Sequence, residues 1–264
     1  MRVLVTAGFD AALHAVALAE LARRAGHTVA GVLVVRALQA ARVRAWVRQR
    51  GARSLFDAAK RLAGSRNVDA RDAAMEEFLR ERSIAERSLS QWCRVHDVAL
   101  CTVEDLNSES ACSFARAARV ERVLYAGGGI LRERFLAAVE ARVLNAHAGP
   151  LPEVRGMNAC EWSLLLGCEP TVTIHWIDSG IDTGATVERI AIALEARDDL
   201  ESLRGKCTVA GVRGLVRALD DLAPPLPTRD GAKSSRQCFT MAPALRELAQ
   251  AALRVRGSAE SASG

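Results

Sequence analysis

Arg2-Val3-Leu4-Val5-Thr6-Ala7-Gly8 opens the chain with a short, β-branched apolar run that ends at a turn. A helical stretch from Ala11 to Gly26 follows, with Leu13, Ala17, Leu18 and Leu21 on one face. Thr28 to Val35 is a second strand of the buried type. Strand, helix and strand in this order predict a parallel sheet in an α/β fold. The pattern continues outward. Arg36 to Leu62 reads as helix interrupted at Gly51, Glu76 to Val95 as a second helix, and Val98 to Val103 as a strand. The helix Ala111 to Ala118, the strand Val120 to Tyr125, the helix Leu131 to Glu140 and the short strand Arg142 to Leu144 follow. Thr171 to Ile177 alternates strictly, so it is expected to turn one face to the core, with Ala185 to Leu194 as its hairpin partner. Leu200 to Leu222 reads as helix and Pro224 to Gly231 as the clearest linker. A helix from Ala242 to Val255 precedes a small, polar stretch, Gly257 to Gly264, expected to be disordered.

At 264 residues the chain can bury one sizeable core, or a core plus a small appendage. Its apolar fraction of 50% and charged fraction of 25% are those of a soluble globular protein. The net charge of +5 has a local origin. Arg36 to Arg66 holds nine basic residues against one acidic residue, Asp57. That run reads either as a surface for phosphates or as a solvated helical face. The seven cysteines contain no C-x-x-C pair, which suits reduced thiols in a cytoplasmic protein. No signal-peptide layout and no apolar run of membrane length is seen, so no membrane partner is expected.

The chemistry sits in the second half. Asn145-Ala146-His147 follows an apolar strand, where ligands of open α/β sheets bind. Two residues apart in extended chain, Asn145 and His147 point the same way. An amide can donate to an oxyanion, and an imidazole can donate or move a proton. Asp182 lies in a Gly-rich loop, Asp178-Ser179-Gly180-Ile181-Asp182-Thr183-Gly184, able to approach a ligand closely. An amide, an imidazole and a carboxylate together can move an acyl group onto an amine. Gly127-Gly128-Gly129 suggests a dinucleotide loop, but Leu131 and Arg132 stand where the third glycine of G-x-G-x-x-G would fall. His175 reads as structural, and no Cys/His set has metal-ligand spacing, so no metal is expected.

Asn145-x-His147 with Leu151-Pro152-x-x-Arg155-Gly156, then Val172-Thr173-Ile174-His175 and Asp178-x-Gly180-x-Asp182-Thr183-Gly184, resembles the folate-dependent formyltransferase family. The resemblance is strong over Val123 to Val187. It implies a Rossmann-like formyltransferase fold, a mostly parallel twisted sheet flanked by helices, with a short carboxyl-terminal extension. It also implies a catalytic domain over residues 1–223, then a linker and helical extension over 224–264. Asn145, His147 and Asp182 correspond to the family's catalytic set. Asn145 and His147 would stabilise a tetrahedral oxyanion, and Asp182 would hold His147 and help relay a proton. The formyl donor would be 10-formyltetrahydrofolate, held by Gly128, Gly129, Ile130 and Leu131 and by Ile177, Asp178, Gly180 and Ile181. Asn107, Arg155 and Glu161 are the candidate acceptor contacts, although Glu161 also reads as an exposed helix residue.

The chain departs from the family at Gly149, where a serine is frequent, at Pro150, and over Met157 to Trp162. These bear on the acceptor rather than the chemistry. Only 37 residues follow Pro227, fewer than the extra β-rich domain of methionyl-tRNA formyltransferases needs. The expected reaction is therefore formyl transfer to a small-molecule amine: an amino sugar, a nucleotide-linked sugar or an amino-acid-derived metabolite. No nucleic acid partner is expected, and a homodimer stays open. The alternatives are a hydrolase of the donor, a methionyl-tRNA formyltransferase-like protein without the added domain, and a non-catalytic folate-binding module.

Overall fold

The computed structural model describes residues 1–36, 70–140, 142–220 and 235–263. The expected helix after Arg36, nearly all of the basic run and the linker Pro224 to Gly231 lie outside the described residues.

A seven-stranded sheet forms the centre. Its strands are β1 (Arg2–Ala7), β2 (Thr28–Val35), β3 (Leu100–Val103), β4 (Arg122–Ala126), β5 (Arg142–His147), β7 (Thr171–Trp176) and β8 (Thr186–Ala191). They are ordered β3-β2-β1-β4-β5-β7-β8. The first five run parallel, and β7 and β8 add two antiparallel strands at one edge. The expected α/β fold with a mostly parallel sheet is the one observed.

Both faces are covered. Val3, Val5 and Ala7 of β1 turn toward helices α1 (Leu13–Arg24), α2 (Ala70–Glu81), α3 (Leu89–His96) and α7 (Leu200–Asp220). Leu4 turns the other way, toward α4 (Glu109–Ala118) and α5 (Glu133–Val139). This alternation between two cores is why the parallel strands read as continuous apolar runs.

Three expectations change. The helix expected over Glu76 to Val95 is two helices. Ser83 adopts φ 52°, and Ser88 starts α3 by accepting a hydrogen bond from Gln91 N at 3.1 Å. β7 does not keep one face out of the core: Val172, Thr173, Ile174 and His175 are all buried. The polar tail is helical, within α8 (Pro243–Ser263), which packs on α6 (Ala159–Leu165). Ala249 and Leu253 are buried, and a Cβ on Gly257 would stand 2.5 Å from the Glu195 carbonyl oxygen, so only glycine lets the helix lie this close. Before it, β9 (Arg236–Cys238) pairs in parallel with β6 (Val154–Gly156) in a two-stranded ribbon that the local pattern did not announce. Among the described residues no helix is long and apolar enough to cross a membrane.

Candidate active site

The antiparallel register of β5 and β7 sets Asn145 opposite His175 and His147 opposite Thr173. Asn145 Nδ2 lies 3.0 Å from His175 Nε2, and His175 Nδ1 lies 2.9 Å from the Trp176 carbonyl oxygen. A carbonyl only accepts, so Nδ1 carries the hydrogen and Nε2 accepts from the Asn145 amide. Burial, foremost, pushes the His175 pKa below its ordinary value, which keeps this neutral tautomer. The Asn145 carboxamide is thereby oriented, with its second N–H left for another acceptor. His175, which reads from sequence as structural, is buried and in hydrogen-bond contact with Asn145.

Asp182 closes the constellation. Its backbone has φ 52°, a left-handed conformation that aspartate tolerates better than most residues. The loop before it is an Asx turn: Asp178 Oδ1 accepts from Gly180 N at 3.0 Å and from the Thr183 hydroxyl at 2.6 Å. A Cβ on Gly184 would run into the Trp176 carbonyl oxygen. Asp182 Oδ2 accepts from Gly156 N at 2.8 Å and lies 3.4 Å from His147 Nδ1, while Oδ1 lies 3.8 Å from His175 Nε2.

His147 is buried, and its Nε2 donates to the Val154 carbonyl at 2.8 Å. Both ring nitrogens therefore face acceptors, Val154 on one side and Asp182 on the other. Sequence reasoning gave His147 and Asn145 the same oxyanion role. Of the two, Asn145 is the one with a donor hydrogen left without a partner among the described residues, and His147 must leave Val154 before its Nε2 can donate elsewhere. Gly149, in place of the frequent serine, makes room for this ring, since a Cβ there would stand 3.1 Å from His147 Nε2.

The three residues of β6 hold both partners. Val154 takes His147, Gly156 takes Asp182, and Arg155 donates to the Ile181 carbonyl at 3.3 Å and to the Ser235 hydroxyl at 2.7 Å. Arg155 braces the Asp182 loop. Asn107 likewise braces a loop: it donates to the Ile130 carbonyl at 2.9 Å and accepts from Arg132 N at 2.7 Å. Glu161 is neither a rim residue nor exposed. It is buried, ion-paired with Arg204, and accepts from Asn158 at 3.2 Å.

The two loops proposed from sequence for the donor meet one core. Leu131 is buried there and Ile177 packs on the same cluster, while Ile130 stays 63% exposed. Gly127, Gly128 and Gly129 all have positive φ, and the Tyr125 hydroxyl donates to the Gly129 carbonyl at 2.6 Å. Burial, foremost, pushes the Tyr125 phenol above its ordinary value against the hydrogen bond to Gly129, and the Asp182 carboxylate adds to the rise. A braced backbone with one exposed apolar side chain fits a flat, amide-bearing ring such as a pterin. Among the described residues no cluster of His, Cys, Asp and Glu could hold a metal ion.

The chain belongs to the formyl transferase family, whose profile matches residues 1–219. It is similar to the methionyl-tRNA formyltransferase of Anaeromyxobacter dehalogenans, 29% identical over 142 residues, covering 53% of this chain and 46% of the relative. It is 35% identical over 101 residues to that of Caldanaerobacter subterraneus, covering 38% of this chain and 33% of the relative. The chain thus spans about half the length, or less, of these relatives. In fold it is similar to a phosphoribosylglycinamide formyltransferase from Bacillus halodurans, with a TM-score of 0.54 and 19% identity over 84% of this chain and 97% of that one. A sugar N-formyltransferase from a Shewanella species gives a TM-score of 0.55 and 13% identity over 96% and 87% of the two chains.

Proposed function

We propose that this chain transfers a formyl group from 10-formyltetrahydrofolate to the primary amine of a small molecule. The observation that carries the reading is the convergence of Asn145, His147 and Asp182, with His147 Nδ1 3.4 Å from Asp182 Oδ2, at the carboxyl ends of sheet strands. When bound, 10-formyltetrahydrofolate supplies the carbonyl carbon that the amine attacks. Gly128, Gly129, Ile130 and Leu131 on one loop, and Ile177, Asp178, Gly180 and Ile181 on the other, would hold it. Asn145 donates its second amide N–H to the carbonyl oxygen as negative charge grows there. Asp182 fixes His147 and, with it, would hold the proton that the amine gives up and return it to the folate nitrogen, whose bond to the formyl carbon breaks as tetrahydrofolate leaves. Arg155 and His175 act through Asp182 and Asn145 and are positioning residues.

The acceptor classes in view are an amino sugar, a nucleotide-linked sugar and an amino-acid-derived amine. The free state of the seven cysteines suits a reducing, cytoplasmic setting. The test is release of tetrahydrofolate in the presence of a panel of amines, with the formamide identified by mass spectrometry. Wild type should turn over with at least one amine, and Asn145→Ala should lose about 100- to 1000-fold. Absence of folate binding by calorimetry overturns the reading. Equal turnover without any amine favours the hydrolase, and formylation of methionyl-tRNA alone favours the tRNA reaction.

A further inference from the structure

A cavity of about 370 Å³ opens beside Asn145, between the sheet and helices α1 and α7. Small residues make the space. Ala146 and Ala148 line it from β5, and Gly211 lines it from α7, where a Cβ would stand 2.9 Å from the Ala146 Cβ. The larger wall residues are Phe9, Leu18, Val172, Val212 and Leu215. Phe9, which is 49% exposed, stands at the mouth.

The polar side chains on this wall besides Asn145 are Tyr125, His14 and Thr208. The Tyr125 hydroxyl donates to Gly129 O at 2.6 Å and the Thr208 hydroxyl to Arg204 O at 2.8 Å. His14 Nε2 lies 3.0 Å from the Ala126 carbonyl oxygen. Among the described residues, no Lys, Arg, Asp or Glu lines the cavity. Arg204 and Lys206, neighbours on α7, are each paired with acidic side chains: Arg204 with Glu161 and Glu201, Lys206 with Glu195 and Asp198. An ionised phosphate placed here would be desolvated with no partner charge among the described lining residues. An apolar body would bury against alkyl and aromatic carbon. A dry cavity of about 150 Å³ takes benzene and drug-sized sites begin at about 300 Å³, so this one has room for a substituted ring or an alkyl chain of several carbons.

We infer that the acceptor is a primary amine with an uncharged, apolar body, seated in this cavity with its nitrogen at Asn145. This rests on the formyl-transfer reading and narrows it, favouring an amino-acid-derived amine over a phosphorylated or nucleotide-linked sugar. The N-terminus of α1, close to Phe9, has no side-chain cap, so a phosphorylated amine is the competing ligand.

The test is calorimetric binding of n-propylamine to n-hexylamine, of 2-phenylethylamine and of glucosamine 6-phosphate to the full chain. Each added methylene should tighten the Kd about fourfold, the equivalent of about 0.8 kcal/mol per buried CH₂, or roughly 60-fold from propyl to hexyl. Glucosamine 6-phosphate should bind at least tenfold more weakly than hexylamine. Thr208→Phe, which fills the cavity, should weaken hexylamine at least tenfold. Val212→Ala, a milder change that serves if the first variant does not fold, should let the tightening continue to longer chains. A series flat in chain length overturns the inference. So does tighter binding of glucosamine 6-phosphate, or unchanged hexylamine affinity in folded Thr208→Phe. Because the readout is binding, the two readings fail separately. Amines that bind in this order but take no formyl group overturn the reaction and leave the cavity assignment standing. Preferred formylation of glucosamine 6-phosphate does the reverse.

Discussion

Replacing Asp182 by asparagine isolates its charge. Asparagine adopts the left-handed backbone as readily as aspartate, so φ 52° adds no strain in the variant. Its carbonyl can still accept from Gly156 N, which keeps the link to β6. What disappears is the negative charge 3.4 Å from His147 Nδ1. A unit charge pair at that distance is worth about 5 kcal/mol at an effective dielectric of 20. The amide dipole and entering water recover part of it. The expected loss of transition-state stabilisation is about 3 to 5 kcal/mol, or roughly 100- to 5,000-fold in kcat. The assay is single-turnover release of tetrahydrofolate with the best amine of the binding series. Melting temperature and folate affinity should stay near wild type, because neither the backbone nor the donor loops lose a contact. If the variant keeps more than about a tenth of wild-type kcat, a loss under about 1.4 kcal/mol, then Asp182 is not the group that holds the proton.

Four further outcomes follow from particular contacts. Gly149→Ser places a Cβ 2.8 Å from the Ala159 Cβ and 3.1 Å from His147 Nε2, so it should cost about 1–3 kcal/mol in urea unfolding and lower kcat by dislodging His147. Gly257→Val should cost a similar amount, because α8 must lift from Glu195; an unchanged urea midpoint refutes that close approach. Burial alone raises the Glu20 carboxyl, but hydrogen bonds from Arg23, Trp92 and Arg24 outweigh it and hold it at about 2 against an ordinary 4.5. That contribution, about 3 kcal/mol, is full above pH 4.5 and lost as pH falls through about 2, so Glu20→Gln should flatten the acid limb of a stability–pH curve. His175 is pushed below its ordinary 6.5 by burial, so the unfolded chain takes up the proton first. Its contribution is full above about pH 6.5 and declines below it, and His175→Gln should remove that slope from melting curves between pH 7 and pH 5.5.

The order of strands and helices was legible in the sequence because it is written locally. β1, α1 and β2 each carry their own periodicity, and the glycine loops before Ile130 and around Asp182 carry their own turn chemistry. Asn145 and His147 were legible as a pair for the same reason: two residues apart on a strand, they share a face. The partners of these groups were decided only by tertiary structure. His175 reaches Asn145 through an antiparallel register 30 residues away, and Glu161 is drawn into the core by Arg204, 43 residues on. The ribbon of β6 and β9 joins positions 82 residues apart, as in Arg155 and Gln237, and it is this ribbon that sets Val154 on His147 and Gly156 on Asp182. A three-residue strand is too short to carry a period, and its partner gives no signal at that distance. The cavity beside Asn145 is likewise a property of packing. It exists because Gly211 lets α7 come close to β5 while the flanking side chains stop short, and no local pattern in either segment encodes the gap between them.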